Sequence, residues 1–154
     1  MNIGFYAGSF DPFTNGHLHI IKKSAAFFDQ VILGIGVHSS KSRHYDKQLM
    51  KATIEQILNR EKLENVSVII YNNLTADAAL AYKANYLIRG IRNGMDYEYE
   101  ENIASVNEEL SGLDTIYIRA GALGVVSSSM VRELIANNHD VSKYVPAEIK
   151  RILE

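Results

Sequence analysis

The chain contains no cysteine, so it has no disulfide framework, no thiol nucleophile and no thiolate metal site. Long apolar runs are missing too. No window approaches the roughly 20 apolar residues that a membrane span requires, and the longest such run, residues 31–37, has the length of a strand. The opening residues MNIGFYAG show no basic segment followed by an extended apolar core, so no secretory signal is visible and a cytoplasmic location is expected. Neither sign of charge dominates: 16 Lys and Arg against 18 Asp and Glu leave a formal net charge of -2, which gives no overall attraction for nucleic acid or an anionic membrane. Any anion site must therefore be local, which suits phosphate-sized ligands. Proline occurs only twice. Asp11-Pro12 reads as a turn, and Pro146 as the opening of a last helix.

What is present is the make-up of a globular protein, with 47% hydrophobic and 22% charged residues over 154 positions. That length predicts one domain, residues 1–154, with room for a hydrophobic core. NIGFYA and QVILGIGV are strand-like, and between them GHLHIIKKSAAFF sets Leu18, Ile21, Ala25 and Phe28 at helical spacing. Asp46 can cap a helix carrying Leu49, Ile54, Ile57 and Leu58, after which VSVII reads as a strand and ADAALAYKA as a helix. YLI is a short buried strand, a helix carries Ile103, Val106 and Leu110, TIYIRA is a strand, and SSSMVRELIANN opens another helix. Five strands alternating with helices predict an α/β fold, a parallel sheet covered on both faces.

Sheets of this kind bind ligands beyond the carboxyl ends of their strands. The loops there, GSFDPFTNGH, HSSKSRH, NNLTAD, RGIRNG and GALGVVSSS, gather the basic and hydroxyl-rich clusters on one rim. In the first, Thr14 or Asn15 can cap a helix whose first turn holds His17; free amides and an imidazolium there favour a phosphate. Lys41 and Arg43 stand just past the second strand, within reach of a ligand's phosphates, whereas His38 and His44 have no evident partner. Arg89 and Arg92 follow a buried strand, and their planar forks suit phosphate; they can equally pair with Asp96, Glu98 or Glu100. Of Ser127, Ser128 and Ser129, one caps the following helix and the others can donate to an anion. The serines lack a GxSxG elbow, and GIGVHS lacks the third glycine of a dinucleotide fingerprint, so neither a serine hydrolase nor a dinucleotide site is supported.

Taken in order, GSFDPFTNGH, HSSKS, LIRGIRNGMDYEYE and SSSMVRE resemble phosphopantetheine adenylyltransferases over essentially the whole chain. TNGH and SSSMVRE are similar to the two motifs of the wider nucleotidyltransferase superfamily, while RGIRN with DYEYE resembles a signature particular to this one family. The resemblance implies a Rossmann-like, doubly wound five-stranded sheet of nucleotidyltransferase type. It also implies transfer of AMP from ATP to 4′-phosphopantetheine, giving dephospho-coenzyme A and pyrophosphate, by direct attack without a covalent enzyme intermediate. Magnesium is the implied cofactor, reaching the site through phosphates and water rather than through assigned protein ligands. By position, His17, Lys41 and Arg92 are implied to be catalytic, and Ser9, Lys41, Thr75 and Arg89 to hold the acceptor. Ser9, Phe10, His17, Gly90, Ile91, Arg92, Glu100, Val126, Ser127, Ser128 and Ser129 match the ATP-binding positions. Self-association as a homohexamer and coenzyme A as a feedback ligand are further implications. The chain departs from the family pattern at Ala7, where proline is frequent, at Ser9 for threonine, at Arg132 for lysine, and at Leu123, near which an aromatic residue is often found.

Overall fold

A computed structural model describes residues 1–38 and 42–153. Its elements follow the order β1 (Ile3–Gly8), α1 (Asn15–Phe27), β2 (Gln30–Gly36), α2 (Lys47–Arg60), β3 (Val66–Tyr71), α3 (Thr75–Ala81) and β4 (Tyr86–Ile91). They continue with α4 (Gly94–Ser111), β5 (Asp114–Arg119), a 3-10 turn (Gly121–Leu123), α5 (Ser128–Ala136) and α6 (Ala147–Leu153). The five strands form one sheet in the order β3-β2-β1-β4-β5, and every pairing is parallel. Strand order reverses between β1 and β4, so the ends of these two neighbours leave a crevice between diverging loops.

The two faces of the sheet are separated by side-chain alternation, as a period of two requires. Tyr6, Leu33, Ile35 and Ile88 pack with Ile20 and Ile21 of α1, Ile54 and Ile57 of α2, Val131 of α5 and Ile149 of α6. Phe5, Ala7, Ile32 and Leu87 turn the other way, against Ala78 and Ala79 of α3. Small residues on α3 let that helix lie close to the sheet, and α4 packs beside it. Gly34 shows how tightly this second layer is filled. A Cβ there would lie 2.5 Å from Phe5 Cζ and 2.9 Å from Tyr71 Cε1, and the Phe5 ring is fully buried. Gly34→Ala is expected to destabilise the fold by about 1–3 kcal/mol through overpacking, read as a lowered midpoint in urea unfolding; an unchanged midpoint would contradict it.

Two boundaries and one helix face that bear on the site differ from the sequence expectation. β4 does not stop at Ile88, because Arg89, Gly90 and Ile91 stay paired with Tyr117, Ile118 and Arg119 of β5; Arg89 and Gly90 therefore belong to a strand end and not to a loop. α3 ends at Ala81, with Lys83 in the left-handed region at φ 60, so the helix does not run through YKA. On α4, Ile103, Val106 and Leu110 do not enter the core: together with Met95 and Tyr99 they form an exposed stripe at helical spacing.

Candidate active site

Two cavities flank the crevice. The first, of about 420 Å³, opens on the α3–α4 side and is lined by Thr75, Tyr71, Asn107, His38 and Arg43 among others. The second, of about 260 Å³, opens on the α1–α5 side, where His17, Arg92, Leu123, Val126, Ser127 and Ser128 line it. Ala7, Gly8, Ser9, Arg89 and Glu100 line both. The ends of β1 and β4 thus form a partition that two ligands could approach from opposite sides.

His17 is placed by a helix cap. Thr14 is the N-cap of α1; its hydroxyl accepts from the His17 N–H at 3.3 Å, and its own N–H donates to His17 Nδ1 at 3.0 Å. A backbone N–H can only donate, so Nδ1 carries the lone pair and the ring proton sits on Nε2. Burial, aided by the charges of Arg89 and Arg92, lowers the His17 pKa to about 3. Phe10 and Phe13 close around the ring with centroids at 4.8 and 5.5 Å. The imidazolium expected from the sequence is therefore corrected to a neutral imidazole whose Nε2–H is its donor.

Arg89 and Glu100 make the central ion pair. Arg89 Nε and Nη2 donate to the two Glu100 oxygens at 2.6 and 2.8 Å, and Nη1 donates to the Ala7 carbonyl at 2.6 Å. Burial works against the charge of Arg89, but the Glu100 carboxylate outweighs it and raises the pKa. Arg92 is held in the same bidentate way by Asp96, at 2.8 and 3.0 Å, and this pairing keeps the Asp96 carboxyl below its ordinary range. Each arginine thus takes a nearby carboxylate while its guanidinium still borders a cavity. Of the five N–H groups on Arg89, three are used and two take no partner among the described residues, which leaves them to meet a ligand.

The serine cluster divides its work differently from the expectation. Ser127 is the N-cap of α5 and accepts from the Met130 N–H at 3.1 Å. Ser128 spends its hydroxyl on the Pro12 carbonyl at 2.7 Å, so what it offers an anion is its first-turn amide rather than its side chain. Ser129 is exposed, 3.4 Å from Ser127 Oγ, and does not line the second cavity; neither does Ile91. Ser9, Phe10, His17, Gly90, Arg92, Glu100, Val126, Ser127 and Ser128 come together around that cavity, and Ser9, Thr75 and Arg89 around the first. Lys41 lies outside the described residues. Arg43, expected to reach for phosphate, is instead drawn back onto backbone carbonyls, with Nη1 on Ser9 O at 2.6 Å and Nε on Tyr45 O at 3.1 Å.

Several lining residues carried no sequence signal of their own. Asp11 was legible only as half of a turn, yet its side chain is buried and borders the first cavity. Tyr71 at the end of β3 lies 2.8 Å from Thr75 Oγ1 and fixes that hydroxyl at the start of α3. His38 and His44 of the loop after β2 and Arg132 of α5 meet at the same cavity. For Asp11, His38 and His44 the available clue was their placement on loops after strands, and for Tyr71 its place at a strand end.

The fold is that of a nucleotidyltransferase, and residues 5–134 match the cytidylyltransferase-like family. Phosphopantetheine adenylyltransferase of Porphyromonas gingivalis is 41% identical over 94% of this chain and 94% of its own. That of Leuconostoc mesenteroides is 38% identical over 100% of this chain and 95% of its own. The chain belongs to the phosphopantetheine adenylyltransferase family. The fold is also shared with a Vibrio parahaemolyticus protein assigned as a nicotinate-nucleotide adenylyltransferase, at TM-score 0.71 and 18% identity over 99% of each chain. A second structural neighbour is a Francisella tularensis bifunctional NMN adenylyltransferase/ADP ribose pyrophosphatase complexed with AMP and a manganese ion. It has TM-score 0.70 and 18% identity over 94% of this chain and 44% of its own.

Proposed function

We propose that residues 1–154 act as one adenylyltransferase domain that moves AMP from ATP to 4′-phosphopantetheine, giving dephospho-coenzyme A and pyrophosphate. The observation that carries this reading is the pair of cavities meeting over Ser9, Arg89 and Glu100. Such a partition brings an acceptor phosphate from one side against a nucleotide α-phosphate from the other. An acceptor phosphate oxygen forms the new bond to the α-phosphorus as the bond to the β-phosphate bridging oxygen breaks, and pyrophosphate leaves with that electron pair. No side chain takes a bond in this step, so catalysis is positioning and charge stabilisation.

In the second cavity, His17 Nε2–H and Arg92 are the donors that meet the charge developing on the α-phosphate, assisted by the Ser127–Ser128 end of α5. In the first, Arg89, Thr75 and Ser9 hold the acceptor, with Lys41 on the adjoining loop. Glu100 holds Arg89 in place on the ATP side. Gly90 and Val126 shape the nucleotide wall, Phe10 packs against His17, and Ile91 and Ser129 support this segment from outside the cavity. No group of three metal-capable side chains comes together among the described residues, and Asp96 and Glu100 are both engaged by arginines. Magnesium would thus be carried by the ATP phosphates and water, where it would neutralise phosphate charge.

Coenzyme A shares the pantetheine and nucleotide parts of the product and would occupy the same cavities as a feedback ligand. The exposed stripe of Met95, Tyr99, Ile103, Val106 and Leu110 supports assembly with further copies of the chain, up to the homohexamer that the family resemblance implies. The reaction is placed in the cytoplasm, which supplies the ATP; no helix of the described residues is long and apolar enough to cross a membrane. The deciding experiment incubates the protein with ATP, magnesium and either 4′-phosphopantetheine, nicotinate mononucleotide or no acceptor, with pyrophosphate release and product mass as readouts. Dephospho-coenzyme A formed with phosphopantetheine alone is the expected result. Product only with the mononucleotide would overturn the acceptor, and no turnover with any of them would overturn the reaction.

A further inference from the structure

The loops that follow β1 and β2 lie 33–34 residues apart in sequence and hold each other reciprocally. From the second loop, the Arg43 side chain donates to the carbonyls of Ser9 (2.6 Å) and Phe10 (3.4 Å). From the first loop, the Asp11 side chain accepts the amides of His44 and Tyr45, both at 2.9 Å. The two side chains approach to 3.8 Å, with Arg43 14% exposed and Asp11 8%. Arg132 of α5 reaches the Asp11 carbonyl at 2.6 Å and ties the same turn to a third element. Each loop therefore uses a charged side chain to fix the other's backbone. Neither segment belongs to a sheet ladder that could do this instead.

The carbonyls chosen are telling. Ser9 lines both cavities, and Arg43, His44 and Asp11 line the first. A peptide unit is planar, with its N–H opposed to its C=O. Holding the Ser9 carbonyl toward Arg43 consequently orients the whole Ser9–Phe10 peptide on the partition between the cavities.

We infer that Arg43 and Asp11 are positioning residues that set the acceptor side of the reaction, fixing the Ser9 rim against the loop after β2. This rests on the proposed adenylyl transfer. Disturbing the clamp should misplace the acceptor, whereas ATP keeps Arg92, His17 and the amides of α5, which the clamp does not touch. Arg43→Lys, whose single ammonium does not reproduce the planar fork that reaches the carbonyls of Ser9, Phe10 and Tyr45, and Asp11→Asn are each expected to lower kcat/KM for phosphopantetheine about 10–100-fold, with KM for ATP within about twofold of wild type. The double variant should lose no more than the worse single, because both break one interlock. Hydrogen exchange should show the His44 and Tyr45 amides losing protection in Asp11→Asn while sheet amides keep theirs. Exposed amides with wild-type kinetics would reduce the clamp to a structural tie and overturn the inference, as would an ATP KM raised as much as the acceptor KM. Should Asp11→Asn not fold, Arg43→Lys decides by the same kinetic split. Wild-type protein that makes no dephospho-coenzyme A would instead sink the reaction, and this role with it.

Discussion

Replacing His17 by alanine is expected to lower kcat about 10²–10³-fold, the usual consequence of deleting one preorganised donor to a developing oxyanion. KM for ATP should change far less, because Arg92 and the α5 amides remain. The fold should survive, since the Thr14 hydroxyl still caps the His17 amide position of α1 and only the reverse half of the capping box is lost, at about 1 kcal/mol. Steady-state kinetics beside urea unfolding would check both parts, and near-normal turnover in a folded variant would remove His17 from the chemistry.

The same residue carries a pH signature. In the unfolded chain His17 takes a proton near its ordinary value of 6.5, whereas in the folded protein it resists until about 3. Between these two values the unfolded state binds more protons, so stability must fall as pH is lowered from 6.5 to 3. The slope is at most about 1.4 kcal/mol per pH unit, and less where the half-buried ring is partly hydrated. His17→Gln provides the control. Glutamine at this third helical position can accept the Thr14 N–H as histidine does, but it does not titrate. The variant should lose less stability than wild type over that window, and equal acid sensitivity would mean that His17 is not held neutral. Turnover, for its part, should show no titration near pH 6.5 that disappears in this variant.

Arg89→Ala is expected to lower kcat/KM for the acceptor about 10²–10³-fold, because it removes the one cation among the described residues that borders both cavities together with its bidentate geometry. Arg43 and Arg132 cannot replace it, being anchored to the carbonyls of Ser9 and Asp11. Arg89→Lys should recover little, since a point charge reproduces neither the fork toward Glu100 nor the bond to Ala7. Stability should fall as well, by about 1–3 kcal/mol. Removing one partner of a buried pair strands the other charge, and Glu100 is only 10% exposed, although the 32% exposure of Arg89 moderates the cost. Kinetics with each substrate varied separately would decide; an equal loss for ATP and acceptor would contradict the division of the crevice.

Several features of this arrangement were legible in the residues alone. Alternation of β-branched strands with amphipathic helices specified a covered parallel sheet, because a period of two and a period of 3.6 bury different sets of side chains. Asp46 as a cap and Pro146 before a last helix were readable for the same local reason. The motif residues His17, Arg89, Arg92 and Ser127 were picked out, and the structure gathers them around the crevice. Boundaries were less legible. Arg89 and Gly90 looked like a loop from their own chemistry, but the β5 ladder keeps them extended, and hydrogen bonds to a partner strand are not encoded next door in sequence. Ile103, Val106 and Leu110 looked like any apolar helix face, and only the packing of α4 shows that the single chain leaves them uncovered.

By itself, then, the sequence determined the class of fold, the rim on which the basic and hydroxyl-bearing residues gather and the residue types available there, since propensity, hydrophobic period and turn chemistry act within a few neighbours. Tertiary structure alone decided how those residues are used. It made His17 neutral by burying it beside two arginines, committed Arg89 to Glu100 and Ser128 to Pro12, and turned Arg43 from a free cation into a brace on Ser9. These outcomes depend on dielectric and on hydrogen-bond partners brought together from distant segments, and the backbone conformation of any one segment contains neither.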